Sequence, residues 1–409
     1  MSISATKQRF LSLVMLSFVA TIFYSQRAIN LVRQHERDHL EEKISLPERH
    51  RQDLGGANEI TTNTTAEIEA FLQQYESVSR SWDVVNHTSW CHRGSRPGLI
   101  YMKLHKASSS TLSGINIRIA TKVGERVLPL PPPEEKGETP INKTRRICLH
   151  TRDHGRWNLL NRRSPNLLWT FLRNPTSRAV SEWMHFEVSR KGAAQSYERT
   201  ERYLRTMKNR ELRYLIPTAR ETVKREDPFR VIQTYIMEPY DFIGLLERKW
   251  ESLACMRLLW GLKVEDLIVL SAKQSGGYDD GRYHNTCFKI IKPNNISDDI
   301  QSYLSRQFPR KNHDFLLYHI VNRSLDKTID MLGSGRVQAE AKHIRMVQEF
   351  VDGRCQDKAI FPCSENGTLQ RKASENDCYW EDSGCGYKCV DRVLAGNYSR
   401  FLQQNESYS

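Results

Sequence analysis

Lys106 is followed by Ala107 and then by four hydroxyl residues in a row, Ser108, Ser109, Ser110 and Thr111, inside the stretch "KLHKASSSTL". The apolar run "LIYMKL" precedes it and the amphipathic "LSGINIRIA" follows, so strand, turn and helix are the expected order. The first turn of a helix presents backbone N–H groups that no intrahelical carbonyl accepts, together with a partial positive charge. Small hydroxyl side chains let an anion approach and the lysine adds a full charge, which makes the stretch a cradle for a phosphate or sulfate. A serine-rich helix start with no ligand is the plainer alternative. The nucleotide triphosphatase pattern G-x-x-x-x-G-K-[ST] does not occur in the chain.

A second stretch, "LLWTFLRNPTSRAVSEWMHF" (167–186), has the same build. An apolar strand runs into Arg173, Pro175 breaks it, and a helix is expected from about Thr176. Ser181 follows Arg173 by eight residues, so a strand-end guanidinium and a hydroxyl on the next helix can both reach one phosphate, with Arg178 as a possible helper. A turn with a solvated arginine is the alternative here.

These two cradles need a scaffold that brings strand ends together. Short apolar runs ("LIYMKL", "RRICLH", "LLWTFL", "DFIGLL", "DLIVLS") alternate with helical patterns such as Leu112/Ile115/Ile119/Val123, Val180/Met184/Val188 and "ERKWESLACMRLLWGL". That alternation predicts an α/β fold, a parallel sheet flanked by helices. Anion sites at the carboxyl ends of parallel strands suit a ligand with two separated phosphate groups.

The pair of stretches resembles the 5′-phosphosulfate loop and the 3′-phosphate site of sulfotransferases that use 3′-phosphoadenosine-5′-phosphosulfate. "HKASSST" is similar to the H-K-T-A-S-S-T element of galactose-3-O-sulfotransferases, and "FLRNPTSRAVSEW" to the R-D-P-x-x-R-x-x-S-E element of heparan sulfate 6-O-sulfotransferases. "YDFIGLLERKWESLACMRLLWGL" and "EDLIVLSAK" again resemble the galactose-3-O branch, and the likeness covers about Leu99 to Leu332. It implies a P-loop-kinase-like sulfotransferase fold, with Lys106, Ala107, Ser108, Ser109, Ser110 and Thr111 on the 5′-phosphosulfate and Arg173 and Ser181 on the 3′-phosphate. Ala107 and Ser108 depart from the loop's usual Thr and Ala or Gly, and Asn174 from the commoner Asp. Sulfuryl transfer to a hydroxyl also needs a base, and a neutral histidine suits it. In the related families a histidine in a "C-x-L-H" context takes that part, which points to His150, the close of "ICLH" and expected at a strand's carboxyl end. His154, Glu182 and Glu247 are the alternatives, and His105 is expected to shape the cradle. Lys289 and Lys292 in "CFKIIKPNN" are either a flap over the ligand or a solvated basic loop.

The rest of the chain says where such a protein works. Phe10–Tyr24 ("FLSLVMLSFVATIFY") is uncharged and flanked by Lys7, Arg9 and Arg27. It is short against the ~20 residues of a membrane-spanning helix. No small-x-small cleavage site follows, so an uncleaved signal anchor is expected rather than a cleaved signal peptide. Eight N-x-[ST] sequons and nine cysteines, five of them within Cys355–Cys389, suit an oxidising secretory lumen. Zinc is the other use of such a cluster, but no histidine lies near it. The expected divisions are a cytosolic tail (1–9), an anchor (10–25), a luminal stem (26–95), a catalytic domain (96–350) and a Cys-rich extension (351–409). A type II Golgi membrane protein follows, acting on a glycan of a glycoprotein, glycolipid or proteoglycan, with no metal. The formal charge of +13 favours anionic partners, and nucleic acid is not expected for a luminal domain. A metal-independent Golgi glycosyltransferase is the rival enzyme, the D-x-D pair of the metal-dependent ones being absent. A non-catalytic glycan-binding protein is the rival from another class.

Overall fold

The computed structural model describes residues 73–85, 89–92, 98–129, 147–153, 166–216, 226–271, 277–278, 287–292, 296–356, 363–370 and 386–396. Four strands, β1 (Leu99–Met102), β2 (His150–Asp153), β3 (Leu167–Leu172) and β4 (Phe242–Leu245), form a parallel sheet in the order β2-β1-β3-β4. β1, β3 and β4 are buried at every position, which is why they read as unbroken apolar runs and not as alternating ones. "RRICLH" is displaced from its expected place: the strand begins at His150, the last residue of that run, and continues through Asp153. "DLIVLS" is buried from Leu267 to Leu270 yet adds no strand to the sheet among the described residues.

Helix α1 (Ser109–Val127) buries Leu112, Ile115, Ile119 and Val123, the stripe its spacing predicts. Asn116 lies on the same face and is bonded twice. Its Nδ2 donates to the Thr151 carbonyl (3.2 Å) and its Oδ1 accepts from Trp169 Nε1 (3.0 Å), so one side chain joins α1 to β2 and β3. Gly244 of β4 faces Phe171, and a Cβ there would stand 2.6 Å from the ring; glycine is what lets these two strands pack.

After β3 come α2 (Pro175–Trp183), a π-helical turn (Met184–Ser189), α3 (Tyr197–Thr206), α4 (Arg210–Leu215) and α5 (Pro228–Ile232). After β4 come α6 (Lys249–Trp260), a two-stranded ribbon of β5 (Gly277–Tyr278) and β6 (Cys287–Phe288), α7 (Asp298–Arg306), α8 (Asp314–Leu332), α9 (Ser334–Cys355) and α10 (Tyr387–Gly396).

The boundaries of this unit differ from the expected ones. A compact unit begins at Gln74, inside the stretch assigned to the stem. Trp82 is fully buried edge-on to Phe242, its backbone N–H donates to Thr328 Oγ1 (2.9 Å), and Cys91 is disulfide-bonded to Cys148. A polar average over 26–95 conceals these few buried aromatics. The Cys-rich segment is also integral. Cys355–Cys389 and Cys287–Cys363 tie it down, Arg118 pairs with Asp391 (2.8 Å), and the Tyr387 hydroxyl donates to the Gly114 carbonyl (3.1 Å). Cys255 is the unpaired cysteine among the described residues, buried in α6, and burial pushes its thiol up to about 12. The expected anchor at 10–25 lies outside the described residues. No helix among them is long and apolar enough to cross a membrane.

Candidate functional site

The strand order sets the site. From β1 the chain crosses to β2 on one side, then to β3 on the other, so the connections after β1 and β3 leave in opposite directions and open a crevice between them. Both expected cradles lie at this point, Lys103–Ser108 after β1 and Arg173–Asn174 after β3.

The first turn is tightly wound. Lys106 (φ 63°) and Ser108 (φ 58°) are both left-handed, a conformation that costs a non-glycine residue about 1–2 kcal/mol. Two such residues within three wind the chain tightly ahead of α1, and the Ala107 N–H between them donates to the Leu104 carbonyl (3.5 Å). Ala107 is fully buried beneath the turn, so a small residue is what the site accepts at this position. Ser108 is the N-cap of α1, yet its side chain makes no capping bond. Ser109 and Ser110 are half-buried and Thr111 is buried, so the four hydroxyls line the first turn of α1 from surface to core.

Across the crevice Arg173 Nη1 donates to the Lys106 carbonyl at 3.0 Å, so the two cradles are bonded to each other. Burial pulls the Arg173 pKa down while Glu247 pulls it up; a guanidinium stays charged near neutral pH. Asn174 caps α2, its Oδ1 accepting from the N–H groups of Thr176 (3.1 Å) and Ser177 (3.2 Å). Asparagine caps as well as aspartate, so this departure from the family motif leaves the turn intact. Glu247, just beyond β4, accepts from the Asn174 N–H (2.9 Å) and from the Tyr318 hydroxyl (3.2 Å), which makes it a brace for the turn. Ser181 is half-buried on α2, six residues past its start and thus about 9 Å along the axis.

Arg178 is not at the surface of the cradle. It is 1% exposed and bonded to Glu182 (2.6 Å), with Glu211 at 3.4 Å. Burial acts against its charge, but Glu211, Asp314 and Glu182 outweigh that and hold its pKa up. Glu182, 3% exposed and paired in this way, is committed to structure.

His150 also differs in position from its expected one. It opens β2, in register with Leu99, whereas the carboxyl ends of the two strands are Asp153 and Met102. Three residues of strand are about 10 Å, and His150 Nδ1 lies 3.1 Å from the Cys148 carbonyl. The apolar run "ICLH" suggested a strand that ends at the histidine; the strand begins there because the residues before it carry the Cys148 bridge and approach. His154 lies outside the described residues.

A row of rings beside the turn was not singled out from sequence. His105 packs against Tyr214 (5.3 Å) and Phe186 (6.0 Å), Phe186 against His185 (4.8 Å), and His185 against Phe288 (5.6 Å), all half-buried. The π-helical turn after α2 presents His185 and Phe186, and such turns recur at functional sites. The available signal was "WMHF" directly after the second cradle, read only as the continuation of a helix. Lys289 and Lys292 are exposed, and the nearby Ile291 N–H donates to Ser189 Oγ (2.9 Å). Among the described residues no group of three or more His, Cys, Asp or Glu could hold a metal ion.

Two helix N-termini, a lysine, an arginine and a set of hydroxyls thus converge at one sheet edge, flanked by a wall of rings. That arrangement can hold two anionic groups of one ligand and lay a planar or sugar face against aromatic surface. No protein-family model matches the chain, and no curated protein and no solved structure matches it.

Proposed function

We propose that the chain is a carbohydrate O-sulfotransferase with a P-loop-kinase-like sulfotransferase fold, using 3′-phosphoadenosine-5′-phosphosulfate at the crevice between β1 and β3. The observation that carries the reading is the Arg173–Lys106 bond at the topological switch point, which joins the two motifs on which the family resemblance rests. Lys106, Ala107 and the hydroxyls from Ser108 to Thr111 hold the 5′-phosphosulfate, and Arg173 and Ser181 the 3′-phosphate. The acceptor hydroxyl attacks sulfur in line. The bond between sulfur and the bridging oxygen breaks, and the Lys106 ammonium offsets the charge that grows on that oxygen as adenosine 3′,5′-bisphosphate leaves. The acceptor proton passes to a histidine. The family resemblance points to His150, but His150 opens β2 at the end of the sheet away from the crevice, and His105, adjacent to Lys106 in the chain, is the candidate that needs no such displacement. The three disulfides among the described residues fit an oxidising lumen, in keeping with a type II Golgi membrane protein acting on glycans.

The test is a transfer assay with radiolabelled donor and a panel of desulfated glycans, beside calorimetry with adenosine 3′,5′-bisphosphate. Lys106→Ala is expected to lower turnover at least ~100-fold, the order seen when a preorganised charge stabiliser is lost. Arg173→Ala is expected to weaken nucleotide binding by roughly 10–100-fold, as for a lost charge-assisted hydrogen bond. The base is the histidine whose alanine variant loses turnover and keeps nucleotide affinity. Glycan retention with no transfer by the wild type would mean a lectin and end the reading.

A further inference from the structure

A second concentration of positive charge lies away from the two turns of the crevice. A cavity of about 360 Å³ is lined by Arg205, Lys208, Tyr303, Gln307, Arg310 and Lys311, four cations with no acid among them. None of these residues belongs to the two turns of the crevice; Arg205 and Lys208 come later in the connection from β3 to β4, and the other four lie beyond β4.

The frame of this cavity is preformed. The turn after α3 and the turn after α7 are bonded reciprocally: Asn312 Oδ1 accepts from the Asn209 N–H (2.9 Å), and Asn209 Oδ1 accepts from the His313 N–H (2.6 Å). Lys208 Nζ donates to the carbonyls of Gln307 (3.0 Å) and Arg310 (2.7 Å), which locks the two turns with the lysine between them. Burial, then the charges of Arg205, Arg310 and Lys311, pulls the Lys208 pKa down, as a concentrated positive field requires. Cations at the ends of α3 and α7 would by themselves answer the helix dipoles. That accounts for Arg205, which Glu201 also pairs (2.6 Å), and for Lys208 on its carbonyls. It leaves Arg310 and Lys311, exposed beyond the helix and paired with no acid among the described residues. It leaves Tyr303 as well: the residue is 3% exposed, and its buried hydroxyl lies against the Arg205 guanidinium at the cavity wall. A buried phenol hydroxyl held against a guanidinium fixes that cation at the wall of the cavity, where with exposed Arg310 and Lys311 it can meet an oxygen-rich ligand.

We propose that this cavity binds an acidic sugar of a sulfated glycan chain, with Arg205, Arg310 and Lys311 on sulfate or carboxylate oxygens and the Tyr303 hydroxyl holding the Arg205 guanidinium in position. The choice of a glycan over a free inorganic anion rests on the luminal, glycan-directed reading above; the anion site itself does not. A concave pocket with one aromatic residue suits a sugar better than a flat membrane surface does.

The test uses the full-length protein, titrated by calorimetry with a heparin-derived octasaccharide at about 0.15 M salt, where exposed charges are screened within about 8 Å. The variant Arg310→Glu with Lys311→Asn removes two cations, and asparagine tolerates the left-handed backbone at 311 (φ 55°). It is expected to weaken octasaccharide binding about tenfold or more, with melting temperature and affinity for adenosine 3′,5′-bisphosphate unchanged. Tyr303→Phe, which keeps the packing, is expected to weaken it severalfold. Lys106→Ala is expected to leave octasaccharide affinity intact, so this proposal and the transfer reading fail separately. Unaltered binding by the double variant overturns the inference. So does equal binding of the desulfated, N-acetylated octasaccharide, equal competition by inorganic sulfate, or binding to anionic phospholipid vesicles that the octasaccharide does not displace.

Discussion

Arg178 lies in the same motif as Arg173, five residues on, and the two do different work. Arg173 lies just past the carboxyl end of β3, beside the crevice; Arg178 points inward, where it pairs with Glu182 and, at longer range, faces Glu211. Replacing it with methionine would leave buried carboxylates without their cation, at a cost of about 3–5 kcal/mol in a denaturant titration. An unchanged midpoint would mean that the carboxylates are not charged. Glu211 makes that a question of pH. Arg178 is at 2.6 Å from Glu182 but 3.4 Å from Glu211, and complete burial holds the Glu211 carboxyl well above the usual range despite Arg178. A carboxyl raised on folding favours the folded state while protonated. Its contribution is full below the unfolded value of about 4.3 and is lost as pH climbs through the folded one. Glu211→Gln removes that loss, so the variant is expected to gain stability relative to wild type as pH rises above the unfolded value of about 4.3. Parallel stability curves for the two proteins would place the raised group elsewhere.

At the scale of elements, local structure separates sequons that look alike in sequence. Asn322 lies within α8 and its Oδ1 accepts from Arg248 Nη1 (2.9 Å), so the amide is engaged on a rigid helix. Asn366 is exposed in the turn between Cys363 and Leu369, where an acceptor asparagine belongs. Peptide mapping of protein made in a secretory host should find Asn366 glycosylated and Asn322 bare. A glycan on Asn322 would require α8 to be open when it is modified. The same logic governs the first cradle. Four hydroxyls in a row suggest equal access, but the start of α1 grades them from half-buried Ser108 to buried Thr111.

For the whole molecule, the folded unit reaches further in both directions than its motifs do. A chain starting at Gly98 would lack Trp82, whose removal from a core costs about 3–5 kcal/mol, and the Cys91–Cys148 bridge, worth about 4 kcal/mol for a loop of 57 residues in the chain-entropy account. Such a chain is expected to be insoluble or molten, whereas one starting at residue 70 should fold. Circular dichroism and a cooperative melt distinguish them, and a cooperative melt from the shorter chain would show that residues 74–97 are dispensable.

The sequence by itself determined the α/β class, three of the four strands and both turns of the site. Unbroken apolar runs ending in "KLHKASSST" and "LRNPTS" are local signals, set by burial on both faces and by turn and cap chemistry within a few residues. Tertiary structure alone decided that the two turns are neighbours, since strand order depends on which nonlocal edges pair. It also decided that Arg178 faces inward, that His150 opens its strand, and that Tyr303, Arg310 and Lys208 share a cavity. Lys208 and Arg310 are 102 positions apart along the chain, and only packing, which sums many weak contacts across distant segments, brings such residues together.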